Sequence, residues 1–154
     1  MEELSFRLAE AKDSNALFTI RQRAILGIAA SMMDSEDARC WAMRLERHGM
    51  AERMARMEIW VAEARGAIVG WVGIEQGWLE NLYRDPDPAW RGVGSALLAH
   101  AERLMRGRGY RVVGLKSAAS AVCFYQRHGY EPSAPPEPDG SWRHQKILLA
   151  PILS

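Results

Sequence analysis

The segment from Leu82 to Leu98, LYRDPDPAWRGVGSALL, carries the densest chemistry in this sequence. A β-rich stretch runs into a Pro-bearing turn, Asp85-Pro86-Asp87-Pro88, then into the pair Gly92 and Gly94, and straight into an apolar-striped helix. The first turn of a helix presents backbone N–H groups without intrahelical partners, and the helix dipole adds partial positive charge there. Glycine lets the backbone bend and approach a ligand where a side chain would forbid it. The combination suits an anion, most economically a phosphate or pyrophosphate. The same spacing also serves a plain strand-to-helix connection in which the glycines only permit tight packing.

Residue identity removes two phosphate classes. A nucleoside-triphosphatase loop ends in Gly-Lys-Ser/Thr, whereas Gly94 precedes Ser95-Ala96. A dinucleotide fingerprint needs a third glycine where Leu97 stands. Cys40 and Cys123 have no Cys-x-x-Cys spacing, and His48, His100 and His128 read as helix-surface or helix-end residues without ligand pairing, so no metal is expected. As a nucleophile Cys123 would need a neighbouring base or cation; it reads instead as a small buried hydrophobe.

The elements that hold these residues follow in order. Ser5 to Ala9 alternates as a short strand, and Asp13 or Ser14 caps a helix striped by Leu17, Ile20 and Ala24. Asp34 or Ser35 opens a second helix with Ala38, Trp41 and Leu45 on one face, ending near Gly49. Met57 to Ala64, Ala67 to Glu75 and Trp78 to Arg84, separated by Arg65-Gly66 and Gln76-Gly77, make an antiparallel meander. Ser95 to about Arg106 is a helix striped by Leu97, Leu98, Ala101, Leu104 and Met105, and Val112 to Lys116 is the next strand. Ser117 or Ser120 caps a last helix bearing Ala121, Phe124, Tyr125 and His128 on one face and stopped by Gly129. A Pro-rich loop then leads to a closing strand from Trp142 to Leu149. The strand–helix–strand passage from Trp78 to Lys116 implies a parallel crossover inside an otherwise antiparallel sheet, an α/β layout with helices on the sheet faces.

Length and charge bound the rest. One domain is expected over residues 1–154. Lysine plus arginine number 20 against 19 acids, which argues against a protein that binds nucleic acid by neutralising phosphates. No apolar run is long enough to span a membrane, and the start, Met1-Glu2-Glu3-Leu4, does not read as a signal peptide. The expected compartment is the cytoplasm, with both cysteines as free thiols.

The chain resembles the GNAT N-acetyltransferase superfamily. Four landmarks carry the resemblance: Val69-Gly70-Trp71-Val72-Gly73 on the third strand; Leu82-Tyr83-Arg84-Asp85-Pro86 on the fourth; Gly92-Val93-Gly94-Ser95-Ala96-Leu97-Leu98 in the cofactor loop; and Ala121 to Tyr130, AVCFYQRHGY, in the last helix. It implies a GNAT fold, a central mixed and mostly antiparallel sheet whose parallel fourth and fifth strands splay apart, with helices on both faces. It implies acetyl-CoA as cofactor, pantetheine lying along Leu82, Tyr83 and Arg84, and Trp90, Arg91, Gly92, Val93, Gly94 and Ser95 receiving the pyrophosphate. Two positions depart from the family pattern. Ala89 stands where the loop usually has Gln or Arg, with Arg91 as the nearest replacement, and Ala118 stands where Asn or Ser is frequent.

The resemblance further implies an acetyl transfer to a primary amine of a small molecule or peptide by direct attack on the thioester. Such a reaction needs a neutral amine, a donor for the developing oxyanion and a proton for the departing thiolate. Tyr125 matches the family tyrosine that gives that proton and also touches the cofactor. For the base, Glu80 shares strand parity with Trp78, Leu82 and Arg84, which would set all four on one face. Glu75 and His144 are the other candidates. The large apolar residues Met32, Met33, Met43, Met50, Met54, Met57, Trp41, Trp60 and Trp142 read as core, with an apolar acceptor slot or a homodimer face as the functional alternative. The acids Asp34, Glu36, Asp37 and Glu46 suit either a cationic amine or a wet helix face. The rival to an enzyme is a module of the same fold that binds acyl-CoA or a protein without turnover.

Overall fold

The computed structural model describes residues 3–32, 36, 39, 40, 43 and 47–148. Most of the expected second helix, including Asp34, Ala38, Trp41 and Leu45, lies outside them. In chain order the elements are β1 (Ser5–Leu8), α1 (Ser14–Met32), α2 (Arg47–Arg56), β2 (Glu58–Ala64), β3 (Ala67–Glu75), β4 (Trp78–Arg84), α3 (Val93–Gly107), β5 (Val112–Ser117), α4 (Val122–Arg127), β6 (Glu131–Pro132) and β7 (Trp142–Ile147). Gly49 does not end a helix; α2 runs through it to Arg56.

The strands form one mixed sheet in the order β1-β2-β3-β4-β5-β7-β6, and β4 against β5 is its parallel pair. The seventh strand, Glu131–Pro132, pairs with β7 and was hidden in a Pro-rich segment that reads as loop. Apolar layers lie on both faces. Val72, Ile74, Leu79, Leu97, Leu98, Met105, Val113 and Leu115 fill the layer beneath α3 and α4. Leu17, Phe18, Ile20, Met50, Met57 and Trp71 fill the layer beneath α1 and α2. Each fully buried side chain of this size contributes about 1.5–3 kcal/mol, so the Leu97–Leu98 pair alone anchors α3 firmly. The burial of Met50 and Met57 assigns those two methionines to core, whereas Met43 is exposed.

Two irregularities shape the middle of the sheet. Gly73 pairs with Asn81 while Ile74 pairs with Leu79, so Glu80 is an extra residue on β4, a β-bulge. The bulge reverses side-chain alternation. Leu79 and Leu82 both join the α3 layer, whereas Tyr83 packs with Trp71 in the α1 layer. The expectation that Glu80 shares a face with Leu82 through simple parity is therefore corrected.

The parallel pairing is also short. β4 and β5 meet only at Trp78 with Gly114 and Leu79 with Leu115. Past the bulge, Asn81 to Arg84 pair with β3 alone, and Lys116 and Ser117 pair with β7 alone. The two strands open into a wedge. Alternate residues of β4 direct backbone N–H and C=O groups into it, an edge able to pair with an extended ligand in the manner of an added strand.

Candidate active site

Above the wedge lies the start of α3. Gly92, its N-cap, sits at φ +89°, a left-handed conformation costly for any residue with a side chain. The first intrahelical bond runs from the Ala96 N–H to the Gly92 carbonyl, 3.0 Å. The Val93, Gly94 and Ser95 amides precede that bond, which leaves them without helical acceptors. The turn is fixed from below by close approach: a Cβ on Gly70 would lie 2.9 Å from Leu97, Val93 and the Tyr83 carbonyl, so only glycine lets α3 seat on β3 there. Asp87 accepts from the Ala89 N–H at 2.9 Å and shapes the approach to the turn, and Asp85 accepts from the Asp87 N–H at 2.9 Å. On the other side of the mouth, Ser95 Oγ lies 2.9 Å from His128 Nε2, tying α3 to the end of α4.

A cavity of about 320 Å³ occupies the wedge. Leu82, Tyr83 and Arg84 of β4, Gly94 of α3, and Phe124 and Tyr125 of α4 form its walls, with Ala24, Gly27, Pro86, Ser120 and Ala121 completing them. Five residues singled out in the sequence therefore meet at one cleft: Leu82, Tyr83, Arg84, Gly94 and Tyr125. The other loop residues stand around it. Val93 is fully buried, Trp90 packs on the core, and Arg91 and Gly92 are exposed. Arg84 donates from Nη1 to the Asp85 carbonyl at 2.8 Å, and Arg23 pairs with Asp85 at 2.9 Å. Ala24 and Gly27 were missed; the signal was the narrowing of the α1 stripe to small residues past Ile20. Phe124 and Ala121 were visible in the sequence pattern of the last helix.

Tyr125 is buried to 7% exposure among Phe124, Tyr130 and His144. Its hydroxyl makes no hydrogen bond among the described residues, and burial pushes its pKa well above the ordinary 10.0. It therefore holds its proton throughout the neutral range. His144 is 1% exposed, with Nδ1 3.5 Å from Ser117 Oγ and, among the described residues, no partner on Nε2. Glu80, half-buried at the bulge, faces a different group: its charge acts on Arg53 of α2, which donates to the Asn81 side chain at 3.2 Å. Glu75 is exposed at the far end of β3.

Other expectations are corrected. Neither serine caps the last helix: Ser117 is buried beside His144, Ser120 lines the cleft, and the N-cap of α4 is Ala121, whose side chain makes no capping bond. Cys123 is exposed rather than buried. His100 is no surface residue; it stacks on Phe6 at 4.6 Å and meets Trp60 edge-on.

A cleft with unpaired helix-start amides at one end and an open strand edge along its length fits a ligand that joins a pyrophosphate to an amide-bearing arm. Residues 55–132 match the family model described as an acetyltransferase (GNAT) domain. The chain belongs to the GNAT acetyltransferase family. Similarity to known GNAT proteins extends along most of it. The uncharacterized N-acetyltransferase YafP of Escherichia coli K12 is 25% identical over 131 residues, 85% of this chain and 83% of that relative. A GCN5-related N-acetyltransferase from Rhodopseudomonas palustris superposes with a TM-score of 0.85 at 21% identity, covering 96% of this chain and 98% of the other. The PaiA N-acetyltransferase of Thermoplasma acidophilum, solved with coenzyme A, gives 0.79 at 17% identity over 95% and 99%. This GNAT protein is an N-acetyltransferase by family, and the cofactor held by the Thermoplasma protein is coenzyme A. The residues fit that cofactor: the Val93, Gly94 and Ser95 amides for the pyrophosphate, the β4 edge from Leu82 to Arg84 for the pantetheine arm. Among the described residues no helix is long and apolar enough to cross a membrane, and no group of side chains is arranged to hold a metal ion.

Proposed function

We propose that residues 1–154 act as one GNAT domain that acetylates a primary amine of a small molecule or peptide, with Tyr125 as acid and Glu80 as base. When bound, acetyl-CoA supplies an activated thioester for direct attack by the amine and a thiolate that leaves. The observation that carries the reading is Tyr125: the residue lines the cleft, and its hydroxyl has no hydrogen-bond partner among the described residues and is held protonated by burial. That is the state a general acid needs at neutral pH. Glu80 stands at the bulge where β4 leaves β5, so an amine entering the wedge from the α1 side meets a carboxylate able to take its proton, directly or through water. The β4 edge offers backbone donors for the charge that develops on the acetyl oxygen.

Departure of Ala89 and Ala118 from the family pattern shifts the work of holding the cofactor onto backbone groups. The Ala89 N–H is already taken by Asp87, and the Ala118 carbonyl by the Ala121 N–H at 3.0 Å. The free exposed thiols Cys40 and Cys123 support a reducing compartment, the cytoplasm. The test is thiol release from acetyl-CoA across a broad amine panel by the wild type and Tyr125→Phe. Amine-dependent release that falls in the variant, with cofactor binding retained, supports the reading. Retained cofactor binding with no release for any amine means a binding module instead.

A further inference from the structure

The face of β4 that looks toward α1 and α2 concentrates positive charge. Arg53 of α2 is half-buried, and its hydrogen-bond acceptor among the described residues is neutral, the Asn81 amide oxygen at 3.2 Å. Arg21 of α1 is 3% exposed. It stands one helical turn before Ala24, which lines the cleft. Burial lowers the pKa of Arg53 below its ordinary value; the charges of Arg21 and Arg56 add to this, while Tyr83 and Glu80 oppose it. Tyr83 connects the two places, since it acts on Arg53 and also lines the cleft.

A guanidinium drawn out of water beside other cations is costly, and a bound anion offsets that cost. Its planar fork matches a carboxylate in two parallel hydrogen bonds. Glu80, the carboxylate acting on Arg53, is also the group placed to receive an ammonium proton. Arg53 bonds the Asn81 side chain and Glu80 is the bulge residue just before Asn81, so an arginine and a carboxylate flank one point of β4, where it parts from β5. We propose that the acceptor is a zwitterionic amine, an α-amino acid or a small molecule with its amine and carboxylate a few bonds apart. Its carboxylate meets Arg53, with the charge of Arg21 behind, and its amine meets Glu80. The inference rests on the acetyltransferase reading above and specifies its acceptor class.

The experiment compares the common L-amino acids with the amines that lack only their carboxylate, such as phenylalanine with 2-phenylethylamine and leucine with isopentylamine. Thiol release is followed for the wild type, Arg53→Gln and Arg53→Lys, each checked by its melting curve. The best amino acid should exceed its decarboxylated partner by about tenfold or more in kcat/KM. Arg53→Gln should lose most of that advantage, chiefly through a raised KM for the amino acid, while Arg53→Lys restores part of it. Equal rates in the two series, or a loss in Arg53→Gln shared by both, overturns the inference and leaves amine acetylation intact. Calorimetry of the N-acetylated amino acids into coenzyme A-loaded protein gives a readout apart from turnover. Binding that vanishes in Arg53→Gln supports the inference; absent binding, or binding indifferent to Arg53, overturns it. Failure of acetyl-CoA itself to bind would instead strike the function reading, and the acceptor inference with it.

Discussion

Leu79 and Leu82 stand three residues apart on β4, yet both pack into the apolar layer beneath α3, because Glu80 bulges out between them. This one extra residue turns Tyr83 toward Trp71 and coincides with the point where β4 parts from β5. The cleft, the reversed alternation and the candidate base thus share a single structural cause.

Deleting residue 80 removes the bulge while Leu79 and Leu82 stay on one face by plain alternation, so what it alters is the parting of β4 from β5. The expected result is loss of acetyl-CoA binding with a lowered Tm, read by calorimetry and thermal melting. Glu80→Gln keeps the bulge, so binding should persist while kcat falls about 10²-fold, the low end for a general base. An unchanged kcat would move the role of base to Glu75, His144 or a water chain.

Tyr125→Phe removes one hydroxyl and leaves the ring packed against Tyr130 and His144. Cofactor affinity should be retained and kcat should fall about 10²-fold. Burial raises the Tyr125 pKa above 10.0, so its acid form persists as pH climbs. The wild-type rate should therefore show no loss from tyrosine ionisation up to about pH 10.

The cofactor turn distinguishes its two glycines. A Cβ on Gly94 would sit 3.6 Å from Phe124, ordinary contact, so Gly94→Ala should fold and bind. Gly94→Trp fills the slot and should abolish acetyl-CoA binding with little change in Tm. Gly92 is held at φ +89°, and Gly92→Ala should cost about 1–2 kcal/mol of stability, visible as a lower urea midpoint.

What the sequence made legible was local. Arg65-Gly66 and Gln76-Gly77 fixed the meander, and its strands begin and end within a residue of expectation. Gly92, Gly94 and the Leu97–Leu98 stripe located the turn into α3, since a turn and a helix start are written in neighbouring residues. Relationships across long separations were not legible. Arg53 reaches Asn81, 28 residues away, and His100 enters a slot between Phe6 and Trp60 that exists only once β1, β2 and α3 have assembled. The bulge at Glu80 has no composition signal; it appears only when β4 is registered against β3. Cys123 is exposed because α4 is only six residues long and turns its other side to the sheet.

The His100 slot has a pH consequence. Burial, followed by the charge of Arg103, lowers its pKa below the ordinary 6.5, with Glu58 opposing, and its Nε2 has no partner among the described residues. The folded state therefore prefers neutral His100. As pH falls through about 6.5 the unfolded chain gains a proton that the folded one resists, so stability declines on acidification until the folded group also protonates. Urea midpoints measured between about pH 7.5 and 5 should fall in the wild type and fall less in His100→Phe, which keeps the stack without the titration.

The wedge between β4 and β5 is the proposed seat of acetyl-CoA. The most direct test is calorimetric titration of the protein with acetyl-CoA, with desulfo-coenzyme A and ATP as controls. Saturable binding of both coenzyme A compounds at micromolar concentration, absent for ATP and lost in Gly94→Trp, is the predicted result. No binding at millimolar acetyl-CoA would contradict it, and would mean that Ala89 and Ala118 mark a GNAT fold that has given up its cofactor.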